Sequence, residues 1–218
     1  MVNNKHVFWI AAVIALAVFW TGIVLGVIFE NSRVNELEEN YFSSETDIFD
    51  YQLSSEISFA SGTSCDQVGE RSVIFADRIF EEAVKLEKYD SSNKITSELI
   101  ALHRRYDFLR TLLWKRIVDS KKECKEFVNT AVYLYEYDNP SVQTKAKQAT
   151  MSNFLIDLKG EYGDNLILIP IAADTGIESL DLMREIYDLD SFPVILINEK
   201  FKFETLDSLK DVDKVLIV

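Results

Sequence analysis

Few side chains in this chain could do chemistry by type and spacing. It holds two cysteines, Cys65 and Cys124, and two histidines, His6 and His103. A pair of thiols can form a structural disulfide or exchange one with a substrate, depending on exposure and thiolate character. These two are distant in sequence, so folding must join them before either use applies. Two histidines offer little for a metal site, and no cofactor motif is present. Ser141 is a candidate nucleophile, but no base stands near it. His6 lies at the edge of an apolar segment. His103, beside Arg104 and Arg105, is expected on the solvated side of a helix. Asp138 with Ser141 fits a capping pair at a helix start, and Asp174-Thr-Gly176 a helix entry rather than an acid-catalysis motif.

The elements around the thiols decide their use. Gln67–Tyr89 places Val68, Phe75, Ile79, Ala83 and Leu86 on one face. Ile95–Phe127 places Leu99, Leu102, Tyr106, Leu109, Leu113 and Ile117 at steps of three and four. Each helix must bury its stripe on a partner. Asp90-Ser-Ser-Asn-Lys94 is a turn sequence, and Thr96 or Ser97 can cap the second helix. An antiparallel hairpin over residues 65–127 follows. Folding it sets Cys65 beside Cys124 and predicts a disulfide across the open end, worth roughly 4 kcal/mol. That bond requires an oxidising compartment. The competing reading is two unrelated buried thiols.

Val7 to Phe29 carries no charge. At 1.5 Å per residue it is long enough to cross a ~30 Å hydrocarbon core. A cleaved signal peptide would be shorter and end in a small-x-small site, so a retained signal anchor over residues 1–29 is expected. Lys5 before it and Arg33 after it only mildly favour an inside N-terminus, with the bulk of the chain outside the cell membrane. Gly22 and Gly26 are spaced for close helix packing, one route to a homo-oligomer, although two small residues in an apolar helix is the plainer reading. Residues 30–64 read as a helical extension that breaks and passes into a polar linker with a short helix. Ile48, Phe49, Leu53 and Ile57 in that linker need something to pack on.

The composition fits this division. The chain is 48% hydrophobic with a net charge of −13. At 27% charged residues it is not a polytopic membrane protein. Its acidity argues against nucleic acid as a partner. The lipid bilayer, met through Val7–Phe29, is the first partner expected.

From residue 128 the pattern changes. Ala131–Tyr137 is a β-branched and aromatic strand, with Tyr133, Tyr135 and Tyr137 alternating on one face. Pro140 opens a helix to Tyr162. Asn165–Ile171 is a buried strand, Ile177–Leu189 an amphipathic helix, and Pro193–Ile197 a third strand. Asn198-Glu-Lys200 is a tight turn, Phe201–Phe203 a fourth strand, and the tail from Thr205 a closing helix. The order is βαβαββα.

With Phe192-Pro193 before a strand and Pro170 within one, residues 128–218 resemble the thioredoxin-like superfamily. The resemblance implies a cis proline at Pro193 facing the turn after the first strand, and an edge position for the strand holding Pro170. The fold class is then an α/β thioredoxin-like domain preceded by a helical hairpin and one N-terminal transmembrane helix. That layout is also similar to archaeal membrane proteins. Redox members carry Cys-x-x-Cys where this chain has Asn139-Pro140-Ser141-Val142. An amide and an isopropyl group replace the attacking and resolving thiols, so dithiol exchange at that turn is excluded.

The function expected is a membrane-anchored binding or scaffold module, with a peptide or protein partner at the Pro193 face. No catalytic constellation is recognisable. The alternative is an extracytoplasmic thiol-disulfide oxidoreductase, or its accessory, using the Cys65/Cys124 pair.

Overall fold

A computed structural model describes residues 4–61, 65–92, 97–124 and 128–216. The element order is α1 (Asn4–Ser61), α2 (Cys65–Ser92), α3 (Ser97–Glu123), β1 (Asn129–Tyr135), α4 (Val142–Tyr162), β2 (Leu166–Ala172), α5 (Glu178–Ile186), β3 (Val194–Ile197) and β4 (Phe201–Phe203). A 3-10 helix, Asp207–Lys214, closes the described chain where an ordinary helix was expected. Two compact units are distinguished, Met1–Asn40 and Tyr41–Val218.

The first unit contains Phe8–Phe29, a stretch of 22 residues with mean hydropathy 2.6 and long enough to cross a membrane. Its large side chains are exposed, with no polar stripe between them. The chain is helical through to Ser61, so the break foreseen between the extension and the linker does not occur. Ile48 accounts for the difference. It is fully buried, which lets α1 continue as an element that packs on others.

In the second unit, α2 and α3 form the hairpin. Val68, Phe75 and Ile79 are buried on one helix, and Leu102, Tyr106, Leu109, Leu113 and Ile117 on the other. Residues 93–96, the end of the foreseen turn and its Thr96 cap, lie outside the described residues, as do the side chains of His6, Ala83, Leu86 and Leu99. Cys65 and Cys124 stand at disulfide distance, with Cα atoms 5.7 Å apart.

The four strands make one sheet in the order β2-β1-β3-β4. β1 runs parallel to β2 and antiparallel to β3, and β4 returns antiparallel to β3. Asn198 and Glu199 both take left-handed φ, 50° and 56°, in the three-residue link Asn198–Lys200 between β3 and β4. Pro170 sits in β2, an edge strand, opposite Tyr133. One sheet face packs Ala131, Tyr133, Leu168 and Ile195 against Met151 and Leu155 of α4 and Leu209 and Val212 of the closing helix. Val132, Leu134, Ile169 and Leu196 alternate with these and are buried as well. Burial on both faces explains the nearly continuous apolar runs of β1 and β2.

An exposed edge at β2 would offer unpaired backbone groups. Both hairpin helices pack against that strand. Phe80 of α2 reaches the core beneath α4, and Asp77 of α2 pairs with Lys159 of α4 at 2.7 Å.

Candidate functional site

In a parallel α/β pair, groups that act on ligands gather beyond the carboxyl ends of the strands. Here that region holds the turn after β1, the loop after β2 and the Phe192–Pro193 loop before β3. Asp174 joins the first two. Its carboxylate accepts the Tyr137 N–H at 2.9 Å and the Asp138 N–H at 2.7 Å. Asp174 therefore braces the turn rather than only opening α5. Asn139 takes φ 52°, a left-handed value that asparagine tolerates better than most residues. Its side chain donates to Asp138 Oδ1 at 2.7 Å. Ser141 is the N-cap of α4, its Oγ accepting the Thr144 N–H at 3.0 Å. The cap expected at this helix start is thus made by Ser141 with Thr144, while Asp138 turns to Asn139.

The turn is open to solvent. Asn139, Ser141 and Val142 are exposed, Val142 at 81%. Pro193 is buried, and its peptide bond with the half-buried Phe192 is cis. The Arg184 guanidinium lies 4.6 Å from the Phe192 ring centroid. It also donates to Ala173 O at 3.2 Å, joining the loop after β2 to the proline loop.

The hairpin takes part in this region, contrary to the expectation for His103. That residue is only 5% exposed, and its ring lies against Tyr137 with centroids 4.1 Å apart. The polar neighbours Arg104 and Arg105 suggested solvent, but α3 has two partners. It buries one stripe on α2 and a second, His103, Asp107, Arg110 and Trp114, toward the sheet and α5. Trp114 stacks on Tyr187 with centroids 5.3 Å apart. Asp107, with no exposed surface, accepts from Arg110 at 2.8 Å and from the Ala172 N–H at 3.2 Å. Burial pushes the Asp107 carboxyl above the usual carboxylate range, outweighing Arg110 and His103, which pull it down. Arg104 donates to Gly176 O at 2.8 Å, on a residue whose φ of 70° favours glycine.

Asp107 and Arg110 were not singled out from the sequence. A signal existed: they continue the line from His103 to Trp114 at steps of four, three and four, which a bulky tryptophan ends.

At the other end of α3 a second polar cluster fixes the helix to the sheet. Lys121 Nζ donates to Glu199 Oε2 and to Thr130 Oγ1, each at 2.7 Å. Thr130 Oγ1 donates to Glu199 Oε1 at 2.6 Å. Burial lowers the Lys121 pKa, with Glu199 opposing the shift. Cys124 follows at once and is 2% exposed. Roughly 30 Å of helix separates it from His103. The structure thus joins Cys65 with Cys124 and sets Asn139–Val142 in the turn that leaves the end of β1, the end at which β3 begins after Pro193, with Tyr137 of that turn against His103 and so far along α3 from Cys124.

This arrangement can present a surface. Neither cysteine reaches the turn, and the Ser141 hydroxyl is engaged as a cap. Among the described residues, no group of three or more His, Cys, Asp or Glu side chains could hold a metal ion. Comparison with protein-family models, with curated proteins and with solved structures finds no match to the chain.

Proposed function

We propose that the chain is a membrane-anchored binding module. Phe8–Phe29 is its anchor, residues 128–218 are a thioredoxin-like domain without redox chemistry, and the soluble portion lies outside the cell membrane. A peptide or protein partner is engaged across the exposed turn Asn139–Val142, beside Phe192 and Pro193. The observation that carries this reading is the turn itself, which is exposed, held by Asp174 and Ser141, and free of sulfur. The order of elements, the sheet order and the proline before β3 support the thioredoxin-like assignment. The outward orientation rests on Cys65 and Cys124 at disulfide distance, since such a bond persists only where it is not reduced.

Use of the cysteines as an exchanging pair is the poorer reading. Cys124 is buried and Cys65 half-buried at the base of the hairpin, which hinders attack, whereas catalytic disulfides are accessible. The test is a pull-down from native membranes with the full chain. Val142→Glu is expected to release the co-purifying partner, and Ile74→Glu on the exposed side of α2 to retain it. Loss only with the α2 substitution would sink the proposal.

A further inference from the structure

We propose that the hairpin helix α3 sets the partner-binding turn from outside it, with Arg104 as the positioning residue that fixes the loop bearing Asp174. The inference rests on the reading of that turn as the partner site. Pairing of β1 with β2 is followed by one further bond, the Ala173 N–H donating to Tyr135 O at 2.8 Å. Beyond it both segments leave the sheet, and Asp174 carries the link between them by accepting the N–H groups of Tyr137 and Asp138. Gln148 of α4 holds the residue before them, donating to Glu136 O at 2.7 Å. Where the Asp174 carboxylate sits therefore decides where the turn sits.

The loop is gripped by α3 on both sides of Asp174. Two residues before it, the Ala172 N–H donates to Asp107 Oδ1 at 3.2 Å. Two residues after it, Gly176 O accepts from Arg104 at 2.8 Å, at a φ of 70° that bends the chain as glycine allows. Arg104 and Asp107 are three residues apart, about 4.5 Å along one rigid helix, so a single element holds both ends of the loop. His103, next to Arg104, adds a direct contact through its ring on Tyr137. The two grips differ in kind. Asp107 is buried and tied to Arg110, so its end is fixed by the core. Arg104 is exposed, and its bond joins a charged donor to a carbonyl at the surface. That end can be released without unfolding the hairpin. Coupling of this kind is reciprocal, so a partner seated on the turn tightens α3 on the loop by the same factor.

The test has two arms on the full-length chain. The first is amide hydrogen exchange in detergent with no partner present, read at Tyr137 and Asp138. Arg104→Met removes the donor and keeps an apolar stem; it is expected to speed exchange at these two amides about tenfold, with the amides of β1 and the urea midpoint unchanged. Arg104→Lys restores the protection. In an Asp174→Asn background Arg104→Met adds nothing, because both act through one carboxylate. The second arm places photoreactive benzoylphenylalanine at Val142 in native membranes, where Arg104→Met lowers the yield of protein adducts several-fold and Arg104→Lys returns it. Exchange unchanged by Arg104→Met but raised by Asp174→Asn would overturn the proposal. So would additive effects of the two substitutions, or adduct yields indifferent to Arg104. Absence of any protein adduct from the otherwise unaltered chain would instead contradict the partner reading, and exchange would still decide whether α3 holds the turn.

Discussion

Asp107 and Arg110, one turn apart on α3, form an ion pair with essentially no exposure, at 2.8 Å, and Asp107 also accepts the Ala172 N–H at the end of an edge strand. The pair is only partly satisfied: Asp107 Oδ2 and Arg110 Nε have no hydrogen-bond partner among the described residues. Removing one member leaves the other charge buried alone, which costs about 3–5 kcal/mol. Arg110→Met or Asp107→Leu alone should therefore lower the denaturation midpoint sharply. The double variant should recover most of the loss, as a cycle of urea titrations on the detergent-solubilised chain would measure.

The same carboxyl predicts a pH dependence of known sign. Burial raises the folded pKa of Asp107 above its ordinary value. Between about pH 4, where an unfolded aspartate releases its proton, and the higher folded value, the folded chain binds more protons than the unfolded one. This group's contribution to stability is full below that window and falls as pH rises through it. Midpoints measured across the window should show this slope, and Asp107→Asn should remove it.

Cys65 and Cys124 close a loop with a sequence separation of 59 residues. Opening that bond should cost roughly 4 kcal/mol, mainly by freeing the unfolded chain. Reductant, or Cys65→Ser with Cys124→Ser, should lower the thermal midpoint. A reduction potential below about −300 mV is expected of a structural bond, and a higher one would return the pair to redox traffic.

Ser141 tests whether the turn is a cap or a nucleophilic site. Ser141→Ala should cost about 1 kcal/mol by releasing the Thr144 N–H, and Ser141→Asp should retain most of that stability. Retention of partner binding in both variants would fit a hydroxyl with no chemical duty.

Surfaces buried through apolar residues were legible in the sequence. The stripe from Leu102 to Ile117, the two buried strands and the order of elements came from local periodicity and apolar runs. Surfaces buried through polar residues were not. On α3, His103, Asp107 and Arg110 are polar residues buried by a strand much later in the chain, and periodicity counts polar residues as solvated. On α1, one inward residue, Ile48, within an acidic stretch gave too little signal against a linker. At the candidate site, the exposed turn was legible because missing cysteines are visible in any reading. Asp174 was not, because its role depends on two backbone N–H groups of the turn after β1, far from it in sequence.

The central claim is that this chain binds a partner across the turn after β1 rather than reacting with it. A photoreactive residue at Val142, irradiated in native membranes, tests it most directly. A protein adduct is expected that forms equally with the cysteines intact or replaced by serine and is competed by the partner's own peptide. Adducts only at hairpin positions, or adducts at Val142 that require free cysteines, would contradict it.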